Sequence, residues 1–149
     1  MITKLKHPAI SFSLVALQFS LIAVLLLVLP ISLNLVVLSV QAIAVMIGLW
    51  AVQVMHIGNF NIVPDPKPNM ELKTSGPYHW IRHPMYFSIV LFFLPLVVLN
   101  LNWINLALYA NLFIILFIKL SYEEHLLVEK ISEYKSYQQN SKKLIPFIL

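Results

Sequence analysis

Two long stretches without a single charged side chain set the terms on which this chain can fold. No Asp, Glu, Lys or Arg occurs between Lys6 and Asp65, nor between Arg82 and Lys119. Filled mainly with Leu, Val, Ile, Ala and Phe, such stretches have no charged face to turn to water, which suits a lipid environment rather than a soluble core. Composition agrees. The apolar fraction is 60% and the charged fraction 11%, against about 45–50% and about 25% in soluble domains, and the mean hydropathy is +0.84.

Proline, asparagine and charge divide the apolar sequence into four runs, at about residues 9–30, 35–56, 84–100 and 103–120. The first two are long enough to cross a hydrocarbon layer of roughly 30 Å at about 1.5 Å per residue. A secretory signal is the other reading of the first run. Its apolar part is too long for one, no A-x-A-like site follows, and further runs come at once. The uninterrupted parts of the third and fourth runs, Met85–Leu99 and Trp103–Ile118, are shorter and need flanking residues or a thinned bilayer to span. The expected architecture is one all-α membrane domain over residues 1–149. It consists of a bundle of about four transmembrane helices followed by an amphipathic C-terminal helix at about 120–139.

The charged residues then fall in three places: the N-terminus, the segment from Asp65 to Arg82, and the tail from Lys119 onward. Four spans bring all three to one side, whereas the loops near 31–34 and 100–102 carry no charge. Lys and Arg confined to one side mark that side as cytoplasmic. The expectation is a multi-pass protein of the cell membrane with both termini and any site on the cytoplasmic face. Ten Lys and Arg so scattered do not form a phosphate-tracking surface, so nucleic acid is not an expected partner. Lack of cysteine excludes disulfides and thiolate chemistry. Three glycines are too few for a phosphate-cradling loop or a dinucleotide fingerprint.

The residues able to carry chemistry concentrate in Ser75-Gly-Pro-Tyr-His-Trp-Ile-Arg-His-Pro-Met-Tyr86. Gly76-Pro77 reads as a turn, and Pro84 suits the first turn of a helix, with His83 at its N-cap. The free N–H groups of such a helix start, with Arg82 beside them, would suit a carboxylate. In the tail, Leu120, Leu127, Ile131 and Tyr134 recur at helical spacing. Glu124 falls in that series and should face inward, whereas Glu123 follows Lys119 by four residues and could pair with it. The same residues have plainer readings. Arg82 and His83 are common interfacial anchors, and Tyr78, Trp80 and Tyr86 could form an aromatic belt. His7, His56 and His125 carry no partner pattern, and Gln53 and His56 share one helix face that could border a site. No metal is expected, because Pro84 breaks any helix through His79 and His83 and no acidic third ligand is near.

Leu72-Lys-Thr-Ser-Gly-Pro-Tyr-His-Trp-Ile-Arg-His-Pro-Met-Tyr86 resembles the signature of the membrane methyltransferases that include isoprenylcysteine carboxyl methyltransferase and the phospholipid methyltransferases. The second half of that signature follows the last run, as Glu123-Glu124, then Glu133-Tyr134-Lys-Ser-Tyr137 and Leu144-Ile-Pro146. The resemblance covers roughly residues 58–146, with the cofactor motif at 72–88, and is closest to short four-span members. It implies S-adenosylmethionine as cofactor, held by Gly76, Pro77, Tyr78, Arg82, His83, Tyr86, Glu123 and Glu124. Arg82 and Glu124 would be the catalytic pair, with Glu124 as the base if the acceptor is an amine. The implied acceptor is hydrophobic or lipid-like, reached from the bilayer, with carboxyl O-methylation of an isoprenylcysteine-like group favoured. The chain departs from the pattern at Ser88, where many members have glycine, and at Ile131-Ser132, where Phe-Gly is frequent.

Two other readings compete. A nicotinamide-dependent reductase of the sterol-reductase type carries a similar G-P-Y…R-H-P-x-Y run. The small size of this chain and Met85, where those enzymes usually have asparagine, speak against it. A non-catalytic membrane scaffold retaining the fold is the other.

Overall fold

The computed structural model describes residues 7–56, 59, 61–67 and 70–149. Among them are helices α1 (Pro8–Val28), α2 (Leu35–Met55), α3 (Pro84–Leu99), α4 (Trp103–Lys130) and α5 (Tyr134–Asn140). A 3-10 turn, Gly76–His79, precedes α3. The starts of the helices follow from local chemistry. Proline occupies the first turn of α1 and of α3, where its missing N–H leaves nothing unpaired. Asn34 caps α2 by accepting from the N–H groups of Val36 and Val37, and Asn102 caps α4 by accepting from Asn105 N–H.

Helices α1, α2 and α4 are each long and apolar enough to cross a membrane, and α3 is a shorter apolar helix of 16 residues. The protein is an integral membrane protein. Its outer surface agrees: Leu27, Ile31, Leu33 and Trp103 are each at least 85% exposed, an arrangement that water would penalise and lipid would not.

The tail differs from the separate helix expected at 120–139. Residues 120–130 are the last turns of α4, which runs without interruption for 28 residues. The helix ends where Ile131 turns extended, and α5 restarts at Tyr134. The absence of proline or glycine between Trp103 and Lys130 leaves nothing to break α4 where lipid would give way to water.

In the interior, α2 packs along α3, α1 along α4, and α3 against α4. Leu25, Leu29, Val37, Val90, Phe93, Leu96, Leu112 and Leu116 form the core at the end remote from the motif. Where α2 meets α3 the approach is close, since a Cβ on Gly48 would lie 2.9 Å from Ser88 Oγ. Small residues at such crossings let helices pack without a solvent-driven hydrophobic force. Toward the motif end a cavity lies between the helices.

Candidate active site

The motif is held in place by backbone first. Gly76 has a positive φ of 58°, a conformation glycine adopts at no steric cost. A Cβ there would lie 2.9 Å from Val54 Cγ2 and 3.2 Å from Trp50 Nε1 of α2. Gly76→Ala should therefore cost about 1–3 kcal/mol, read as a lowered unfolding temperature of the detergent-solubilised chain. An unchanged temperature would mean that the turn is not fixed by this contact. After the 3-10 turn the chain runs extended and pairs with the C-terminal segment as a parallel bridge, Ile81 with Lys142. Arg82 N–H donates to Lys142 O at 2.8 Å, His83 N–H to Lys143 O at 3.2 Å, and Lys142 N–H to Trp80 O at 2.9 Å. Tyr137 hydroxyl adds a bond to Tyr78 O.

Side chains lock the same junction. Arg82 Nε donates to Glu124 Oε1 at 2.5 Å. Its Nη1 donates to the backbone carbonyls of Gln138, at 3.2 Å, and of Ser141. The two charged side chains are each 8% exposed. Glu124 also meets His83 Nε2 at 3.2 Å, Gln138 Nε2 at 3.3 Å and Lys143 Nζ at 3.6 Å. Glu124 does face inward, as its helical register implies, but onto Arg82 and His83 rather than into the cavity. With Nε and Nη1 of Arg82 engaged, a two-pronged grip on a ligand carboxylate would have to break one of these bonds.

Glu123 has the other outlook. Its Oε2 accepts from Tyr86 hydroxyl at 2.9 Å and lies 3.9 Å from His83 Nδ1. His83 thus stands between the two carboxylates, with its ring stacked on Tyr86 at a centroid distance of 5.5 Å. The pairing of Glu123 with Lys119 suggested by their spacing does not form: Lys119 turns instead to Gln18 Oε1 at 2.7 Å.

The cavity measures about 430 Å³ and draws its walls from all four long helices and from the connection between α2 and α3. Of the residues expected to touch the cofactor, Tyr78, Arg82, His83, Tyr86 and Glu123 line it, whereas Gly76, Pro77 and Glu124 do not. Gly76 and Pro77 shape the turn, and Glu124 holds Arg82. Asn59, Asn61 and Asp65 add polar groups, while Phe19, Ile22, Val52 and Ile89 make the remainder apolar. Ser11 hydroxyl bonds Asp65 and ties the connection to the start of α1. Burial raises the hydroxyl pKa of Tyr78 and Tyr134 and brings that of Tyr137 to about 12, so these groups stay neutral at physiological pH.

Lys119, Gln18 and Asp65 line the cavity, although none of them was expected as a site residue. Lys119 and Gln18 carried a usable signal, as polar groups bordering or interrupting apolar runs. Asp65 is bonded by Ser11, 54 positions earlier, a pairing that no spacing rule brings out. Gln53, His56, His7 and His125 are exposed. His125 pairs with Glu129 at 3.3 Å.

The family model described as phospholipid methyltransferase matches residues 31–134, just over two thirds of the chain. No curated protein matches it.

Proposed function

The chain belongs to the phospholipid methyltransferase family, and from that premise we propose that it uses S-adenosylmethionine to methylate a lipid-like acceptor at the cytoplasmic face of its membrane. The observation that carries this reading is the cavity, which Glu123, Tyr86 and His83 line together with the apolar side chains of Phe19, Ile22, Val52 and Ile89. Its volume falls in the range of cofactor pockets, about 300–1,000 Å³. The residues present fit an amphoteric cofactor. Glu123 can accept from an ammonium or from hydroxyls, and Asn61 Nδ2, with one hydrogen given to Asp65 O, keeps another for a carboxylate. When bound, the cofactor supplies an electrophilic methyl group on a sulfonium.

The residues of this chain would then bind, align and keep water out, which is where most of the rate gain in a displacement of this kind lies. The Arg82–Glu124 pair would act through position, fixing His83 and the start of α3. A carboxylate acceptor, such as that of an isoprenylcysteine, is already ionised and needs no base. For an amine acceptor, Glu123 is better situated than Glu124 to take the proton, because its carboxylate borders the cavity. The cytoplasmic assignment, with four spans counting α3, rests on Lys67, Lys73, Arg82, Lys130, Lys135, Lys142 and Lys143 lying at the motif end of the chain's path.

Calorimetric titration of the full chain in nonionic detergent tests the reading. S-adenosylmethionine should give a saturable heat and NADPH none. Saturable binding of NADPH alone, or of neither compound, would remove the proposal.

A further inference from the structure

Lys119 is buried to 2% exposure on α4, and Gln18 to 5% on α1. The Lys119 ammonium meets Gln18 Oε1 at 2.7 Å and lies 5.2 Å from the centre of the Tyr86 ring. No carboxylate among the described residues lies within ion-pair distance of it. Glu123, one turn further along α4, is held by Tyr86 hydroxyl instead. An ammonium has three donors, and the amide and the aromatic face do not exhaust them. The Gln18 amide nitrogen donates to none of the described residues. Both side chains line the cavity.

A buried cation with no carboxylate in direct contact is costly, and in a helix that crosses a membrane it ordinarily marks a functional site. As a mere tie between α1 and α4, the pair would be replaced without loss by two apolar side chains. Its position in the cavity wall supplies a reason for a charge. We infer that Lys119 and Gln18 form an anion subsite, which takes a negatively charged oxygen of the acceptor about 6 Å along α4 from Glu123, the advance of four helical residues. An acceptor that fits carries its anionic oxygen apart from the group to be methylated, with an apolar chain beyond. A phosphodiester and a carboxylate share that chemistry. The inference rests on the proposed methyl transfer for the word acceptor, but the binding of an anion at Lys119 stands or falls by itself.

The test uses the full chain in nonionic detergent, without cofactor, and follows unfolding temperature. The probes are dodecyl phosphate, dodecanoate and dodecanol, which share one tail. The anions should raise the unfolding temperature and dodecanol should not. Lys119→Met should weaken anion binding by about 30-fold or more, the usual cost of removing one partner of a buried charge contact. Lys119→Arg should retain binding, and Gln18→Leu should weaken it to a smaller degree. These two variants keep the test open if Lys119→Met is poorly folded. A larger shift with phosphate points to a phosphodiester lipid, and a larger shift with dodecanoate to a lipidated acid. Equal shifts with dodecanol, no shift with either anion, or anion shifts that survive both Lys119→Met and Gln18→Leu would overturn the subsite. If the anions bind through Lys119 while S-adenosylmethionine gives no heat, the subsite stands and the methyl-transfer reading falls.

Discussion

Arg82→Ala should destabilise the folded protein by about 3–5 kcal/mol, the range for breaking a buried ion pair from one side. Three contacts vanish together: the bond to Glu124 and the bonds to the Gln138 and Ser141 carbonyls. Worse, Glu124 stays buried at 6% exposure, with Lys143 at 3.6 Å as its remaining cation and His83 as a hydrogen-bond partner. Arg82→Lys should recover only part of the loss, because a single ammonium cannot reproduce the fork that reaches a carboxylate and two carbonyls at once. Arg82→Met combined with Glu124→Leu should be more stable than Arg82→Ala, since it removes both charges instead of orphaning one. Denaturant or thermal unfolding in detergent reads all three variants. A loss below about 1 kcal/mol for Arg82→Ala would place the pair among surface-type contacts and undo its role as the clasp between motif and tail.

The second large effect separates the adjacent glutamates. Glu123→Ala should leave stability within about 1 kcal/mol, because its carboxylate is partly exposed and its one hydrogen bond among the described residues comes from Tyr86. Under the proposed function it should weaken S-adenosylmethionine by about 30-fold or more. Glu124→Ala should do the reverse in order of cause: stability falls first, and cofactor affinity follows the lost geometry. Calorimetry beside thermal unfolding distinguishes them. If both substitutions reduce affinity with stability unchanged, the division of labour between the two residues is wrong.

Much of this fold can be read from residue order. The apolar runs at 9–30, 35–56 and 84–100 match α1, α2 and α3 to within about two residues at either end, because proline and asparagine mark the boundaries directly. The start of α4 at Trp103 was equally plain. Its end was not: the change from apolar to charged sequence after Ile118 looks like a boundary, yet helix geometry ignores polarity, and α4 continues to Lys130. In the site, the heptad-like series through Leu120, Glu124 and Leu127 correctly implied a buried Glu124. Periodicity gives direction but not destination. What Glu124 meets depends on Arg82, 42 positions away, and on carbonyls of the last segment. Lys119 and Gln18 are separated by 101 positions, and only the packing of α1 against α4 joins them. The substitution of Ser88 for glycine also looks different in three dimensions. Ser88 hydroxyl turns back to Met85 O, and Gly48 opposite supplies the missing space.

The parallel pairing of Ile81 with Lys142 has a consequence for how the molecule is made. Among the described residues the apolar helices all lie upstream of Ile131, so these helices are synthesised before the segment that closes the motif. Site assembly therefore waits for the segment around Lys142. A nascent or truncated chain can sit correctly in the bilayer with its motif still open. The bridge joins segments about sixty residues apart, and the packing of α3 against α4 has to bring them together first. Ligand-binding competence, rather than insertion, is therefore the measurement that reports a closed motif.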